Sequence, residues 1–242
     1  MIGAGMAPDA VWEALVRVPH ARRTVARGDM LSTSDSDRGR SWLILSGWLC
    51  QLRILGDGRR QILDLFTAGE FVPLALSPMR ESGATSLALA LAQLCEFDRE
   101  QLAEAAECNP DLRRWLHVMC IRQRRRLERR IVDLGVRSGS ERMARALAEL
   151  AVRRERGSVP RGAFPLGLPL SLRLLGEQLG LSTAHVCRIF KDFEARDVAC
   201  YNGGNILIMD FERLVQAGNL SAEDMVEFAA SAANPPPAAL FE

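Results

Sequence analysis

The sequence predicts an α+β protein: an N-terminal β-roll of the double-stranded jelly-roll type, a long dimerisation helix, and a C-terminal winged helix-turn-helix. Three observations predict it. Short apolar runs separated by glycines at 28, 47, 56, 58 and 69 fill the first part of the chain. A stretch free of proline and glycine then carries apolar residues at every third or fourth position. Finally, two short helical segments joined by Gly180-Leu181 precede a glycine-turned hairpin.

The first part begins with a short helix over 9–18, where Asp9 is expected to cap and Val11, Leu15 and Val18 share a face. Strands follow. Trp42 to Leu52 is apolar and β-prone, Gly56-Asp57-Gly58 makes a tight turn, and Gln61 to Phe66 runs back. Asp-Gly between apolar runs is a strong hairpin signal, because both turn residues tolerate positive φ. Ser86 to Phe97 alternates Leu87, Leu89 and Leu91 with Ala88, Ala90 and Ala92, a pattern open to strand or helix. Strand is preferred, because Asp98-Arg99-Glu100 then starts a helix of its own.

In the second part, Leu112, Leu116, Met119, Gln123, Leu127, Ile131 and Leu134 form one seam of a helix beginning at Pro110 and expected to end at Gly135. Arg122, Arg124, Arg125, Arg126, Arg129 and Arg130 flank that seam. An apolar seam with charged shoulders fits a two-helix coiled coil, and equally a helix packed on its own domain with solvated arginines. The narrow seam and its single polar member, Gln123, favour a homodimer.

The third part opens with a helix over 142–153 and a loop rich in Gly, Pro and Arg. Ser171 then caps a helix over 172–179, with Glu177 and Gln178 expected on its exposed side. Ser182 caps a second helix over 183–195. Two short helices around a glycine turn make a helix-turn-helix. Val198 to Met209, with Asn202-Gly203-Gly204-Asn205 at its centre, supplies a wing-like hairpin. The expected domains are therefore 1–109, 110–136, 137–220, and a tail 221–242 read as an amphipathic stub followed by disorder.

Composition removes several classes of function. With 48% hydrophobic and 25% charged residues the chain is an ordinary globular one. No run of apolar residues is long enough to span a membrane, and no basic, then apolar, leader opens the chain, so a cytoplasmic location is expected. The six cysteines are scattered without a CxxC pair, which fits free thiols rather than a disulfide framework or a zinc site. Only His20, His117 and His185 are present, too few and too far apart for a cupin-like metal centre, and no nucleotide-binding or hydrolase motif appears; an enzyme is not expected. The net charge of +1 conceals a segregation: −3 over residues 1–110, +9 over 111–161 and −5 over 162–242.

The helix-turn-helix suggests chemistry. Its second helix can enter a major groove, with Thr183, Ala184, Cys187 and Arg188 pointing outward. Arg188 can bridge the two acceptors of a guanine, and Ala184 can touch a thymine methyl. The helix ends at Ser171 and Ser182 suit phosphate contacts, with His185 and Lys191 reaching further ones. Cys187, beside Arg188, is also a redox candidate; the plainer reading is a small residue that fits the groove. The competing reading of the whole is a small-molecule- or redox-responsive module that docks on another protein. The acidic balance of 162–242 weighs on that side.

From about Val25 to Leu214 the chain resembles bacterial transcription regulators of the Crp–Fnr family. The resemblance rests on Gly28-Asp29, Leu45-Ser46-Gly47-Trp48, the Asp57 to Ile62 stretch, Gly69-Glu70-Phe71, Glu141-Arg142-Met143-Ala144, Leu168-Pro169-Leu170-Ser171, Leu179-Gly180-Leu181-Ser182 and His185-Val186-Cys187-Arg188. It implies a cyclic-nucleotide-binding-type roll, a homodimer on a palindromic operator of double-stranded DNA, and contact with RNA polymerase. Where members that bind cyclic AMP have Gly-Glu followed by Arg-Ser or Arg-Thr, this chain has Gly69-Glu70 followed by Ser82-Gly83, with Arg80 out of register. The pair that would read adenine on the long helix is Leu127-Glu128. A cyclic phosphate without its guanidinium loses its charge-assisted bonds, so cyclic AMP is not expected as effector. No cysteine precedes Cys50, which argues against the iron–sulfur cluster of oxygen-sensing relatives, and the isolated histidines argue against haem.

Overall fold

The computed structural model describes residues 9–31, 39–72, 84–168, 170–233 and 238–241. They divide into two compact units, one holding the residues up to Arg125 together with those from Ala233 on, the other Arg126–Ala232.

The first unit is a two-sheet antiparallel roll. Helix α1 (Asp9–Arg17) leads into β1 (His20–Val25), β2 (Met30–Leu31), β3 (Arg40–Ser46), β4 (Trp48–Ile54), β5 (Arg60–Thr67), β6 (Phe71–Val72), β7 (Ala84–Ala88) and β8 (Ala92–Asp98). One sheet has the order β1-β8-β3-β6 and the other β2-β7-β4-β5. The apolar run that begins at Trp42 is therefore two strands in different sheets. Gly47 makes the corner at φ 91°, and a Cβ there would lie 2.6 Å from the Leu91 carbonyl oxygen and the Ala92 Cβ. Only glycine fits such a crossing. The alternating stretch 86–97 splits in the same way: β7 belongs to one sheet, β8 to the other, and the chain turns between Ala88 and Ala92. The Asp57-Gly58 turn between β4 and β5 forms as expected, with the Leu55 amide donating to the Arg59 carbonyl at 2.8 Å.

Strand β3 explains why its sequence is apolar without alternation, since side chains leave a strand on opposite faces and both faces here are covered. Trp42 and Ile44 enter a cluster between the sheets with Leu49, Phe66 and Leu94. Leu43 and Leu45 face a second cluster that holds Val11, Leu15, Phe71, Cys95 and Phe97. That second cluster is closed by α1, by α2 (Arg99–Cys108), and by the first turns of α3 (Pro110–Val136). Asp98 caps α2 by accepting from the Glu100 and Gln101 amides. Asp9, expected as a cap, instead lies inside the first turn of α1. The Cys50 and Cys95 thiols are fully buried, and burial pushes the Cys95 thiol up to about 11 against a weaker opposing pull from Arg22.

Two expectations about α3 are corrected. The helix continues through Gly135 to Val136, since nothing near Gly135 crowds the helix and the actual break comes at Ser138, which caps the next helix. The seam is not a single free stripe either. Leu112, Leu116 and Met119 are buried in the roll's own second cluster, and the Gln123 side-chain amide donates to the Phe71 carbonyl at 3.0 Å. The large apolar residues of α3 left exposed are Val118, Ile121, Leu127, Ile131, Val132, Leu134 and Val136.

The second unit contains α3 from Arg126 on, α4 (Gly139–Arg154), β9 (Phe164–Pro165), α5 (Leu172–Leu179), α6 (Thr183–Ala195), β10 (Ala199–Asn202), β11 (Asn205–Ile208), α7 (Phe211–Ala217) and α8 (Ala222–Ser231). Ser138 and Glu141 form a reciprocal capping box on α4, whose Met143, Ala144, Leu147, Ala148 and Ala151 make the centre of the core. The small sheet has the order β10-β11-β9. Its short third strand, β9, falls in the stretch expected to be loop.

The expected stub forms as α8, which carries its own capping box (Ser221 and Asp224) and buries Phe228; residues 234–237 of the stretch expected to follow it as disorder lie outside the described residues. A 3-10 turn at Ala238–Phe241 puts Phe241 in the roll's second cluster, edge-on to His20 at 5.5 Å.

Candidate nucleic-acid interface

Helices α5 and α6 are each started by a serine. Ser171 Oγ accepts from the Leu174 amide and Ser182 Oγ from the His185 amide, both at 3.2 Å. Gly180 ends α5 in the left-handed conformation. The turn is tight for a second reason, not evident from sequence: a Cβ on Gly176, inside α5, would lie 2.5 Å from the Leu181 carbonyl oxygen. Leu175 and Leu179 on α5 and Val186, Ile189, Phe190 and Phe193 on α6 are buried, which fixes the opposite side of α6 outward. Gln178, expected outside with Glu177, is 2% exposed; it lies on the inner side of α5 beside Leu179, while Glu177 takes an i,i+4 ion pair with Arg173.

The outward side of α6 carries the residues singled out by sequence. Ser182, Thr183, Ala184, Arg188 and Lys191 are exposed, and His185 and Cys187 half-buried. His185 is half-covered because its ring lies over Gly139, where an added Cβ would meet it at 3.3 Å. The ribbon beside α6 turns through Gly203 and Gly204, both at positive φ.

The electrostatics of this unit soften the objection raised by the acidic balance of residues 162–242. Six of the ten acids of residues 162–242 are paired within the unit: Glu177 with Arg173, Asp192 with Arg196, Asp197 and Asp210 with Arg213, Asp224 with Arg145, and Glu227 with Arg129, while Glu194, Glu212 and Glu223 take part in no ion pair among the described residues. Arg188 and Lys191 take part in no ion pair among the described residues. The outward side of α6 therefore presents positive charge at a capped helix start, where backbone dipoles add to it.

In the roll, Gly69 turns at φ 89° and Glu70 is 3% exposed, its carboxylate accepting from the Thr67 amide at 2.8 Å. Arg80, Ser82 and Gly83 lie outside the described residues. Among the described residues no cluster of His, Cys, Asp and Glu could hold a metal ion, and no helix is long and apolar enough to cross a membrane.

Residues 22–109 match the cyclic nucleotide-binding domain family and residues 141–217 the Crp-like helix-turn-helix domain family. The nitrogen fixation regulation protein FixK of Bradyrhizobium diazoefficiens is 30% identical over 172 residues, which are 71% of this chain and 70% of that one. The transcriptional activator protein Anr of Pseudomonas aeruginosa is 28% identical over 189 residues, 78% of this chain and 76% of the relative. In structure, FixK2 from Bradyrhizobium japonicum superposes with a TM-score of 0.73 at 23% identity, covering 85% of this chain and all of that one. Roll, long helix and winged helix-turn-helix thus occur together in one chain with relatives to match, and the chain belongs to the Crp–Fnr family of DNA-binding transcription regulators.

Proposed function

We propose that the protein acts as a homodimer on a palindromic operator, with α6 as its reading helix and an effector other than cyclic AMP. The observation that carries this is that Arg188 and Lys191 stand exposed and without an ion pair on the outward side of α6, while the neighbouring Arg173, Arg196 and Arg213 are each tied to a carboxylate. Arg188 is placed to hydrogen-bond a guanine and Ala184 to touch a thymine methyl; Ser171, Ser182, Thr183, His185 and Lys191 serve phosphates and register. His185 contributes less than a free side chain would, because part of its ring is taken up by Gly139.

The dimer face is the exposed stripe Val118, Ile121, Val132 and Val136, extended by Leu127 and Ile131. Val118, Ile121, Val132 and Val136 recur at helical spacing, away from the face used by Leu112, Leu116 and Met119, whereas Leu127 and Ile131 continue that latter face towards the end of the helix. The reading against cyclic AMP is supported by Glu70, whose carboxylate closes its own turn, and by Leu127-Glu128 where a polar pair would read adenine. Contact with RNA polymerase is supported by a relative named as a transcriptional activator rather than by any one residue here.

The test uses a duplex selected by the protein from a random pool. Arg188→Ala is expected to abolish preference for that duplex over random DNA, while His185→Ala weakens both alike, and the unaltered protein sediments as a dimer. Equal footprints for wild type and Arg188→Ala, or a monomer at working concentration, would remove the reading. Micromolar cyclic AMP binding by calorimetry would remove its effector clause.

A further inference from the structure

Helix α8 lies beyond the matched helix-turn-helix region, and nothing said above gives it a role. It takes part in two ion-pair nodes, each of which ties three helices together. In the first, the Arg145 guanidinium of α4 donates to Asp133 of α3 (2.9 Å) and to Asp224 of α8 (2.6 Å). In the second, the Arg129 guanidinium of α3 donates to Glu149 of α4 (3.0 Å) and to Glu227 of α8 (3.2 Å), and it also lies 5.4 Å over the Phe228 ring of α8. The arrangement is reciprocal: the cation sits on α4 in one node and on α3 in the other, and α8 supplies an acid to both.

Two features make α8 a separable part rather than filler. Each arginine already has one carboxylate from α3 or α4, so neutralising either cation does not require α8. Its acids add a second, conditional tie. Asp224 also builds the start of α8, accepting from the Ser221 amide (2.8 Å) and hydroxyl (3.0 Å), so docking on Arg145 and forming the helix are one event. Burial alone would raise the Asp224 carboxyl, but Arg145 and Ser221 hold it down at about 2. What the nodes hold matters for reading DNA. Leu134, on the last turns of α3, meets the helix-turn-helix at Gly180, where an added Cβ would touch it at 3.2 Å, and the Arg142 guanidinium of α4 donates to the Leu134 carbonyl. Gln178 and Leu179 of α5 line the same small cleft as Arg129, Arg145 and Phe228.

We propose that α8 is a clasp: closed, it fixes the last turns of α3 against α4 and the helix-turn-helix, and operator affinity depends on that closure. The operator clause rests on the function proposed above; the clasp itself does not. A dimer reads two half-sites only if both α6 helices sit at a set distance, so freeing the end of α3 adds an ordering cost to each binding event.

The experiment compares full-length wild type, the double variant Asp224→Asn with Glu227→Gln, the single variant Glu227→Gln, and the exposed control Glu223→Gln. Hydrogen exchange and binding to the selected duplex are both measured. The double variant should lose protection in α8 and in residues 126–136, and bind the selected duplex about tenfold more weakly at unchanged dimer content, with the single variant between. The control should match wild type. Unchanged exchange over 126–136 when α8 opens would overturn the clasp whatever the DNA result. Looser exchange with undiminished affinity would overturn its control of binding. Failure of wild type to select any duplex would instead overturn the operator reading, and the exchange data would still decide the clasp. If the double variant does not fold, the single variant carries the same readouts, because the Glu227 side chain is 49% exposed.

Discussion

One helix, α3, is held in two different ways along its length. Its first turns adhere to the roll through Leu112, Trp115, Leu116 and Met119, all in one apolar cluster. Its last turns are held to α4 and α8 through Arg129, Asp133 and the partners of each. Apolar burial has no directional demand, is not screened by ions and has no proton to gain in acid. An ion-pair network requires geometry, weakens as ions screen it, and responds to protonation. The contrast shows how a single helix can be anchored by apolar contacts at one end and by ion pairs at the other.

The sharpest way to break the comparison is at the apolar end. Leu116→Ala should destabilise the roll by about 3 kcal/mol, through lost transfer energy and the cavity left behind. Denaturant melts at low and high salt should show the same loss. At the ionic end, Arg145→Met should cost about 2 kcal/mol, less than a fully enclosed pair, because Asp133 and Asp224 are each about a fifth exposed and water can relieve them. That loss should shrink measurably in molar salt, and a salt-independent loss would contradict the assignment.

The smallest and most discriminating effect is expected in acid. The folded Asp224 carboxyl titrates at about 2 against an ordinary 3.8, so its contribution is intact above roughly pH 4 and fades as the pH falls towards 2. Asp133 opposes it in part: burial raises its carboxyl more than Arg145 and Arg137 lower it, so protonating Asp133 relieves the fold. Hydrogen exchange between pH 4 and pH 2 should therefore loosen α8 before the cluster around Leu112. Simultaneous loosening would mean that the two ends are not held independently.

The same helix marks the limit of what the sequence discloses. Spacing correctly placed Leu112, Leu116, Met119 and Gln123 on one face, but periodicity says which residues share a face and not what covers it. Here the cover is the roll itself, and Gln123, taken as a polar interruption in a coiled-coil seam, donates to the Phe71 carbonyl. Local signals fared better. The serine caps at 171 and 182, the Gly180 turn and the Asp57-Gly58 hairpin depend on a few neighbouring residues, and all form as read. Gly47 was legible as a break, whereas its role as a corner between two sheets depends on Ala92, far away in the chain. The outward positions of α6 followed from where Val186 and Ile189 had to go. The nodes around Arg145 and Arg129 were out of reach, because they join three helices that no local pattern relates.

The buried thiol on β8 has a practical consequence. Cys95 has no exposed surface and ionises only near 11, so at neutral pH an alkylating reagent has neither access nor thiolate to attack while β8 stays enclosed. Cys108, at the end of α2, is open to the same reagent from the start. Mass spectrometry of a labelling time course would thus time, in one sample and without any engineered probe, how often the roll opens, with Cys108 as its internal reference.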